Sequence, residues 1–125
     1  MNRGLTVLIA LLCVSLTSAA QIALKVGVSS PALRAVMASD GTVAFIVRAL
    51  ISAPVLGGLV LYAASTLLWL TVLAKADVSF AYPFVSLGFV IIAVYGHFVL
   101  HEPLSVVKAA GIALITVGVI CIARS

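Results

Sequence analysis

The stretch ALISAPVLGGLVLYAASTLLWLTVLA, residues 49–74, decides the fold. It carries no charge and is bounded by Arg48 before it and by Lys75-Ala76-Asp77 after it. A helix rises about 1.5 Å per residue, so about 20 apolar residues cross a hydrocarbon core of roughly 30 Å. The stretch meets that length. A surface helix of a soluble protein would show a charged face over the same distance, and this one shows none.

Three further stretches outward from it have the same character. Residues 5–24 are uncharged and end at Lys25. Residues 78–100 are uncharged and lie between Asp77 and the pair His101-Glu102. Residues 104–123 are interrupted only by Lys108, close enough to the helix end for its side chain to snorkel to the interface. The expected fold is all-α, an integral membrane bundle of four transmembrane helices. It forms a single transmembrane domain over residues 1–125, with helices near 5–24, 49–74, 78–100 and 104–123. Composition agrees. Charged residues make up 8% of the 125, against about 25% in soluble domains. Mean hydropathy is +1.40. Too little polar surface is available to cover a soluble fold.

The connections at 75–77 and 101–103 are short and force antiparallel neighbours, with Pro103 suited to a helix start. The first connection, 26–48, is longer and holds Ser29, Ser30, Pro31, Asp40 and Gly41. Residues 32–38 are expected to form a short interfacial helix within it. If Arg48 begins the second span, Pro54 would kink that span. The first span, with Arg3 ahead of it and Ser18-Ala19-Ala20 within it, imitates a secretory signal peptide. Its apolar run continues through Leu24, which favours an uncleaved helix.

Small residues recur in the spans: Gly57, Gly58, Ala63, Ala64 and Ser65 in the second, Gly88 and Gly96 in the third, Ala109 to Gly118 in the fourth. In lipid they let backbones approach closely. Trp69, Tyr62, Tyr82 and Tyr95 are either interfacial belt residues or the lining of a cavity.

The net charge of +4 comes from scattered single Lys and Arg residues. No basic stripe with interleaved aromatics exists, so nucleic acid is not an expected partner. Membrane lipids are. With the N-terminus inside, the inside holds Arg3, Lys75 and Arg124, and the outside holds Lys25, Arg34, Arg48 and Lys108. The positive-inside bias is absent or faintly reversed. Cys13 and Cys121 lie far apart in apolar runs and read as small fillers.

The three acids, Asp40, Asp77 and Glu102, all fall in connections. A proton- or cation-coupled pump usually carries a carboxylate inside the membrane. The first span offers neutral groups instead: Ser15, Thr17, Ser18 and Gln21. Gln21 and Lys25 share a face at i, i+4, where they either meet the interface or contact substrate. His97 and His101 have the i, i+4 spacing of a metal pair, but no further ligands cluster nearby and an interfacial helix end is the preferred reading. No metal, no cofactor and no catalytic residues are expected. Lys25, Arg34 and Arg48 flank the long connection. They are either ordinary anchors or an electropositive vestibule for an anionic headgroup, with Arg48 the foremost phosphate ligand because its planar fork donates two hydrogen bonds at once.

The segments Leu59-Val60-Leu61-Tyr62-Ala63-Ala64-Ser65-Thr66-Leu67-Leu68-Trp69, Ser79-Phe80-Ala81-Tyr82-Pro83-Phe84-Val85-Ser86-Leu87-Gly88 and His101-Glu102-Pro103-Leu104-Ser105 resemble the drug/metabolite transporter superfamily. The likeness is to its small four-helix EamA-type members, among them the subunits of 4-amino-4-deoxy-L-arabinose-phosphoundecaprenol flippases. Ala20-Gln21-Ile22-Ala23-Leu24-Lys25 resembles the end of a flippase helix one. The segment from Gly111 to Gly118 resembles, more distantly, the helix-four dimerisation face of small multidrug resistance proteins. Those pumps carry a glutamate in helix one, and residues 5–24 have none, which favours the lipid-carrier branch.

The resemblance implies a half-transporter in the bacterial inner membrane, paired through Gly111 and Gly118 with itself or with a similar four-helix subunit. Its substrate would be a lipid-linked sugar phosphate, on undecaprenyl phosphate. Arg48, Lys25 and Arg34 would hold the phosphate, Glu102 would sit in the loop as its one acid, and Gln21, Ser18, Trp69 and Tyr82 would line the cleft. The alternatives are a small multidrug or metabolite exporter and a non-transporting subunit of an envelope enzyme complex.

Overall fold

A computed structural model describes residues 3–125, and those residues form helices and connections without a strand. Met1 and Asn2, included in the expected domain, lie outside the described residues. Helix α1 spans Arg3–Val28. Two short helices follow, α2 at Pro31–Ser39 and α3 at Thr42–Leu50. Helix α4 is Ala53–Lys75. The third span comprises α5 (Val78–Ala81), a 3-10 turn (Tyr82–Val85) and α6 (Ser86–Phe98). Helix α7 is Val106–Arg124. Four of these units are long and apolar enough to cross a membrane: α1, α4, Val78–Phe98 and α7. In lipid a helix satisfies its own backbone, which is why apolar runs of this length resolve as helices. The chain is a multi-pass membrane protein.

Local chemistry moves several boundaries from those expected. The second span does not begin near Arg48. A helix continuous through Pro54 would drive the proline ring into the carbonyl of Leu50. The chain breaks at Ile51 and Ser52 instead, and Pro54 sits in the first turn of α4, where a missing N–H costs nothing. Pro54 therefore starts a helix and does not kink one. Arg48 belongs to the last turn of α3, beside the negative end of its dipole. The long first connection holds two helices where one was expected. The Ser30 hydroxyl accepts from the Leu33 N–H to cap α2, and Gly41, at φ 89°, makes the turn into α3. The third span is not one continuous helix, because Pro83 has no N–H to donate and the backbone tightens to a 3-10 turn around it. Pro103 stays outside the fourth span. Ser105 caps that helix, its hydroxyl accepting from the Lys108 N–H at 3.0 Å.

Helices α1 and α4 make the main seam. The buried residues Thr6, Cys13, Ala20 and Gly27 recur at seven-residue intervals on α1, as Gly58, Ser65 and Val72 do on α4. That period is the one by which paired helices keep a single seam facing inward. The residues on it are small, so the backbones come close. A Cβ placed on Gly58 would lie 3.0 Å from the Ala20 carbonyl oxygen. Polar groups add directionality. The hydroxyls of Ser65 and Thr17 lie 2.7 Å apart, and both reach the Cys13 carbonyl, at 2.9 and 2.8 Å.

A second core joins Ala10 and Val14 of α1, Val72 of α4, Ala81 and Phe84 of the third span, and Val119 of α7. A third, made by Leu33, Ala49 and Val55 with Leu24, Val28 and Phe45, seats α2 and α3 against the ends of α1 and α4. Helix α7 is the least covered, with Val119 its one buried residue.

Candidate binding cleft

A cleft of about 760 Å³ opens between α1, α4 and the third span. Helix α1 contributes Cys13, Val14, Thr17, Ser18 and Gln21. Helix α4 contributes Tyr62, Thr66 and Trp69, one face at i, i+4, i+7. The third span contributes Tyr82, Val85, Gly88, Phe89 and Ile92. The 3-10 turn around Pro83 carries two of these, Tyr82 and Val85.

The cleft is apolar in bulk with a few polar groups. Ser18 is buried and donates its hydroxyl to the Val14 carbonyl at 2.8 Å, leaving oxygen lone pairs as acceptors. A Cβ on Gly88 would meet that hydroxyl oxygen at 3.1 Å, so the third span reaches α1 closely here. The Thr66 hydroxyl donates to the Tyr62 carbonyl at 3.0 Å. Trp69 and Tyr82 meet edge to face, with ring centroids 6.1 Å apart and planes at 89°. Among the described residues Gln21 has no side-chain hydrogen bond, and its amide can both donate and accept.

Ser18, Gln21, Trp69 and Tyr82, the four cleft residues expected from sequence, thus come together. The three cations do not join them. Lys25 lies one helical turn beyond Gln21, and its Nζ is 4.0 Å from Glu102 Oε1. Arg34 and Arg48 are exposed on α2 and α3 and do not line the cleft. Among the described residues His97 and His101 belong to no cluster of three or more possible metal ligands, and the His97 Nδ1–H donates to the Glu102 carbonyl at 3.0 Å. Gly111 and Gly118 face open space, where an added Cβ would meet nothing within 4 Å. Cys13 is buried, Cys121 exposed, and both are free thiols.

Thr17 and Thr66 line the cleft without having been singled out as substrate contacts. The signal for Thr66 was its position between Tyr62 and Trp69 on one helical face. At the opposite end of the bundle a second hollow, of about 590 Å³, is bordered by Arg3, Lys75, Asp77, Ser79 and Phe80. The Arg3 guanidinium lies 4.7 Å above the Phe80 ring and donates to the Ser125 carbonyl.

The chain is similar to named flippase subunits. It is 45% identical over 62 residues to a probable 4-amino-4-deoxy-L-arabinose-phosphoundecaprenol flippase subunit ArnE of Enterobacter sp. (strain 638), a match covering 50% of this chain and 58% of the relative. It is 47% identical over 58 residues to the like-named protein of Pseudomonas syringae pv. syringae (strain B728a), covering 46% and 54%. An uncharacterized protein, y4nH of Sinorhizobium fredii (strain NBRC 101917 / NGR234), is 38% identical over 69 residues, covering 54% and 59%. The chain thus spans a little over half the length of the curated relatives it matches. No family model matches it, and no solved structure does.

Proposed function

We propose that the chain is a transporter and not an enzyme: one subunit of a flippase that carries the polar head of an undecaprenyl-phosphate-linked sugar, or a similar anionic lipid carrier, across the bacterial inner membrane. The observation that carries this reading is the gathering of Ser18, Gln21, Trp69 and Tyr82 around one cleft among apolar spans, with a cation a turn beyond. The similarity to ArnE-named subunits supports the substrate class. The sugar stacks on Trp69 and Tyr82 and exchanges hydrogen bonds with Gln21 and Ser18. The prenyl tail stays in the bilayer, because each CH₂ drawn out of hydrocarbon would cost about 0.8 kcal/mol.

Lys25 stands nearest the cleft and is the first phosphate ligand in this reading. Arg48 and Arg34, exposed on their short helices, gather anionic headgroups at the surface and pass them on. Asp40, Asp77 and Glu102 all lie outside the four spans, which argues against the carboxylate-driven export of a drug pump. The subunit pairs with itself or with a similar four-helix chain through α7, where Gly111 and Gly118 leave room for a second backbone.

The test is a headgroup-accessibility assay in proteoliposomes containing an undecaprenyl-phosphate-linked aminosugar. The protein, alone or with a second subunit, should expose the headgroup on the far leaflet. Gln21→Leu and Lys25→Gln should slow this strongly, Arg48→Gln less and Arg34→Gln least. Arg48→Lys should restore only part of the Arg48 contribution, since a point charge replaces a two-pronged fork. Equal rates for all variants, or none above protein-free vesicles, would contradict the proposal.

A further inference from the structure

The connection between α6 and α7 reaches the end of α1, and two of its bonds meet at Glu102. The Glu102 N–H donates to the Gly96 carbonyl at 2.9 Å, and the Glu102 carbonyl accepts from His97 Nδ1–H at 3.0 Å. The Lys108 ammonium donates to the Pro103 carbonyl at 3.3 Å. His101, next to Glu102, is held at φ 57°, in the left-handed region that side chains rarely adopt. A strained residue persists only where its surroundings fix it. The two bonds at Glu102 hold its backbone at the end of α6, and from there the side chain sets out toward α1. It runs past Gly96, where a Cβ would lie 2.8 Å from Oε2, to reach Lys25.

The position of this pair gives it a consequence. Lys25 is one turn beyond the cleft residue Gln21 on α1, and Gly96 is one turn beyond the cleft residue Ile92 on α6. The Lys25–Glu102 contact therefore joins the elements of two of the cleft's three walls, one turn beyond its lining. Both side chains remain about half exposed, at 54% and 46%, so water and ions reach the pair. Such a pair contributes little to stability and exchanges easily.

We infer that the Glu102 carboxylate occupies Lys25 in place of the substrate phosphate, so that the α6–α7 connection closes the Lys25 end of the cleft until an anionic headgroup displaces it. The inference rests on the reading of Lys25 as the phosphate ligand and adds how access to that ligand is controlled. Carboxylate and phosphate compete for the same ammonium donors. A phosphate brings more charge and more acceptor oxygens, and once Glu102 lets go of Lys25 the stretch from Pro103 to Ser105 moves away from α1 while residue 102 stays bonded to the end of α6.

Two variants open the latch by different routes and leave the backbone bonds of residue 102 intact. Glu102→Gln removes the charge. Gly96→Ala adds a methyl group that pushes the flexible end of the Glu102 side chain off Lys25, while alanine suits a helix better than glycine does. The measurement is the distance between nitroxides at Val26→Cys and Leu104→Cys, in a Cys121→Ser background, in nanodiscs with and without undecaprenyl phosphate. Without the lipid, the parent protein should give one short distance. Both variants should give a longer, broader one, and adding undecaprenyl phosphate should move the parent to match. Both variants should also bind the lipid more tightly, by up to about fivefold, the factor an exposed ion pair can withhold. A parent that binds the lipid with an unchanged distance, or variants that bind no better, overturns the latch and leaves the phosphate reading standing if Lys25→Gln still abolishes binding. No lipid binding by the parent or by either latch variant overturns the phosphate reading and the latch with it.

Discussion

The α1–α4 seam and the outer face of α7 are built from the same kind of residue and end in opposite states. On the seam, Gly58, Ser65, Ala20 and Cys13 are buried against each other, with two hydroxyls meeting one backbone carbonyl. On α7, Ala109, Ala110, Gly111, Ala113 and Gly118 give the helix similar smoothness, yet Gly111 and Gly118 face open space. Small residues in lipid are useful only when a second backbone comes close, because apolar side chains gain little by leaving lipid for protein. The seam has its partner within the chain. The α7 face has none within the described residues, and in the proposed assembly a second subunit supplies it.

Breaking the seam should have the largest effect. Gly58→Leu would place a branched side chain against the Ala20 carbonyl and Leu24, and overpacking of this kind costs roughly 1–3 kcal/mol or more. The folded fraction after detergent extraction should fall sharply. Unchanged yield and thermal stability would show that the seam is looser than described. Ser65→Ala is the finer cut. It deletes the hydroxyl shared with Thr17 and Cys13, and interhelical hydrogen bonds in membranes average about 0.6 kcal/mol, so a small drop in unfolding free energy is expected. No drop would mean the Thr17 hydroxyl alone satisfies the Cys13 carbonyl. The smallest effect on the isolated subunit belongs to Gly118→Leu, with a change in stability within about 0.5 kcal/mol. Its effect should appear between subunits, as weaker crosslinking. Crosslinking equal to that of the parent protein would move the interface away from this face of α7.

The contrast also marks what the sequence could disclose. Spans were legible because run length and absence of charge are properties of the chain itself. Ser18, Gln21, Trp69 and Tyr82 were visible as polar and amphipathic groups within uncharged spans, and the fold brings them to one cleft. Boundaries set by single local interactions were not legible. Hydropathy does not distinguish Leu50, which ends α3, from Val55, which belongs to α4; Pro54 does, once its clash with a continuous helix is weighed. The same holds for Pro83, which turned an expected continuous span into a broken one at the cleft wall. The placement of the cations depended on tertiary structure. Arg48 looked like the headgroup ligand because it abuts an apolar run, but the fold leaves it on α3, outside the cleft. Lys25 and Glu102 belong to opposite ends of the sequence, and only the packing of α1 against the third span brings them together.

In the proposed function the cleft between α1, α4 and the third span receives the headgroup of a lipid-linked sugar phosphate. Trp69 is the chain's one tryptophan and lines that cleft, so its fluorescence reports on the site directly. Titrating the protein in nanodiscs with an undecaprenyl-phosphate-linked aminosugar should shift Trp69 emission saturably, and Gln21→Leu and Lys25→Gln should abolish the shift at the same lipid concentration. An emission spectrum indifferent to that lipid, or shifted equally by phosphatidylglycerol, would contradict the account.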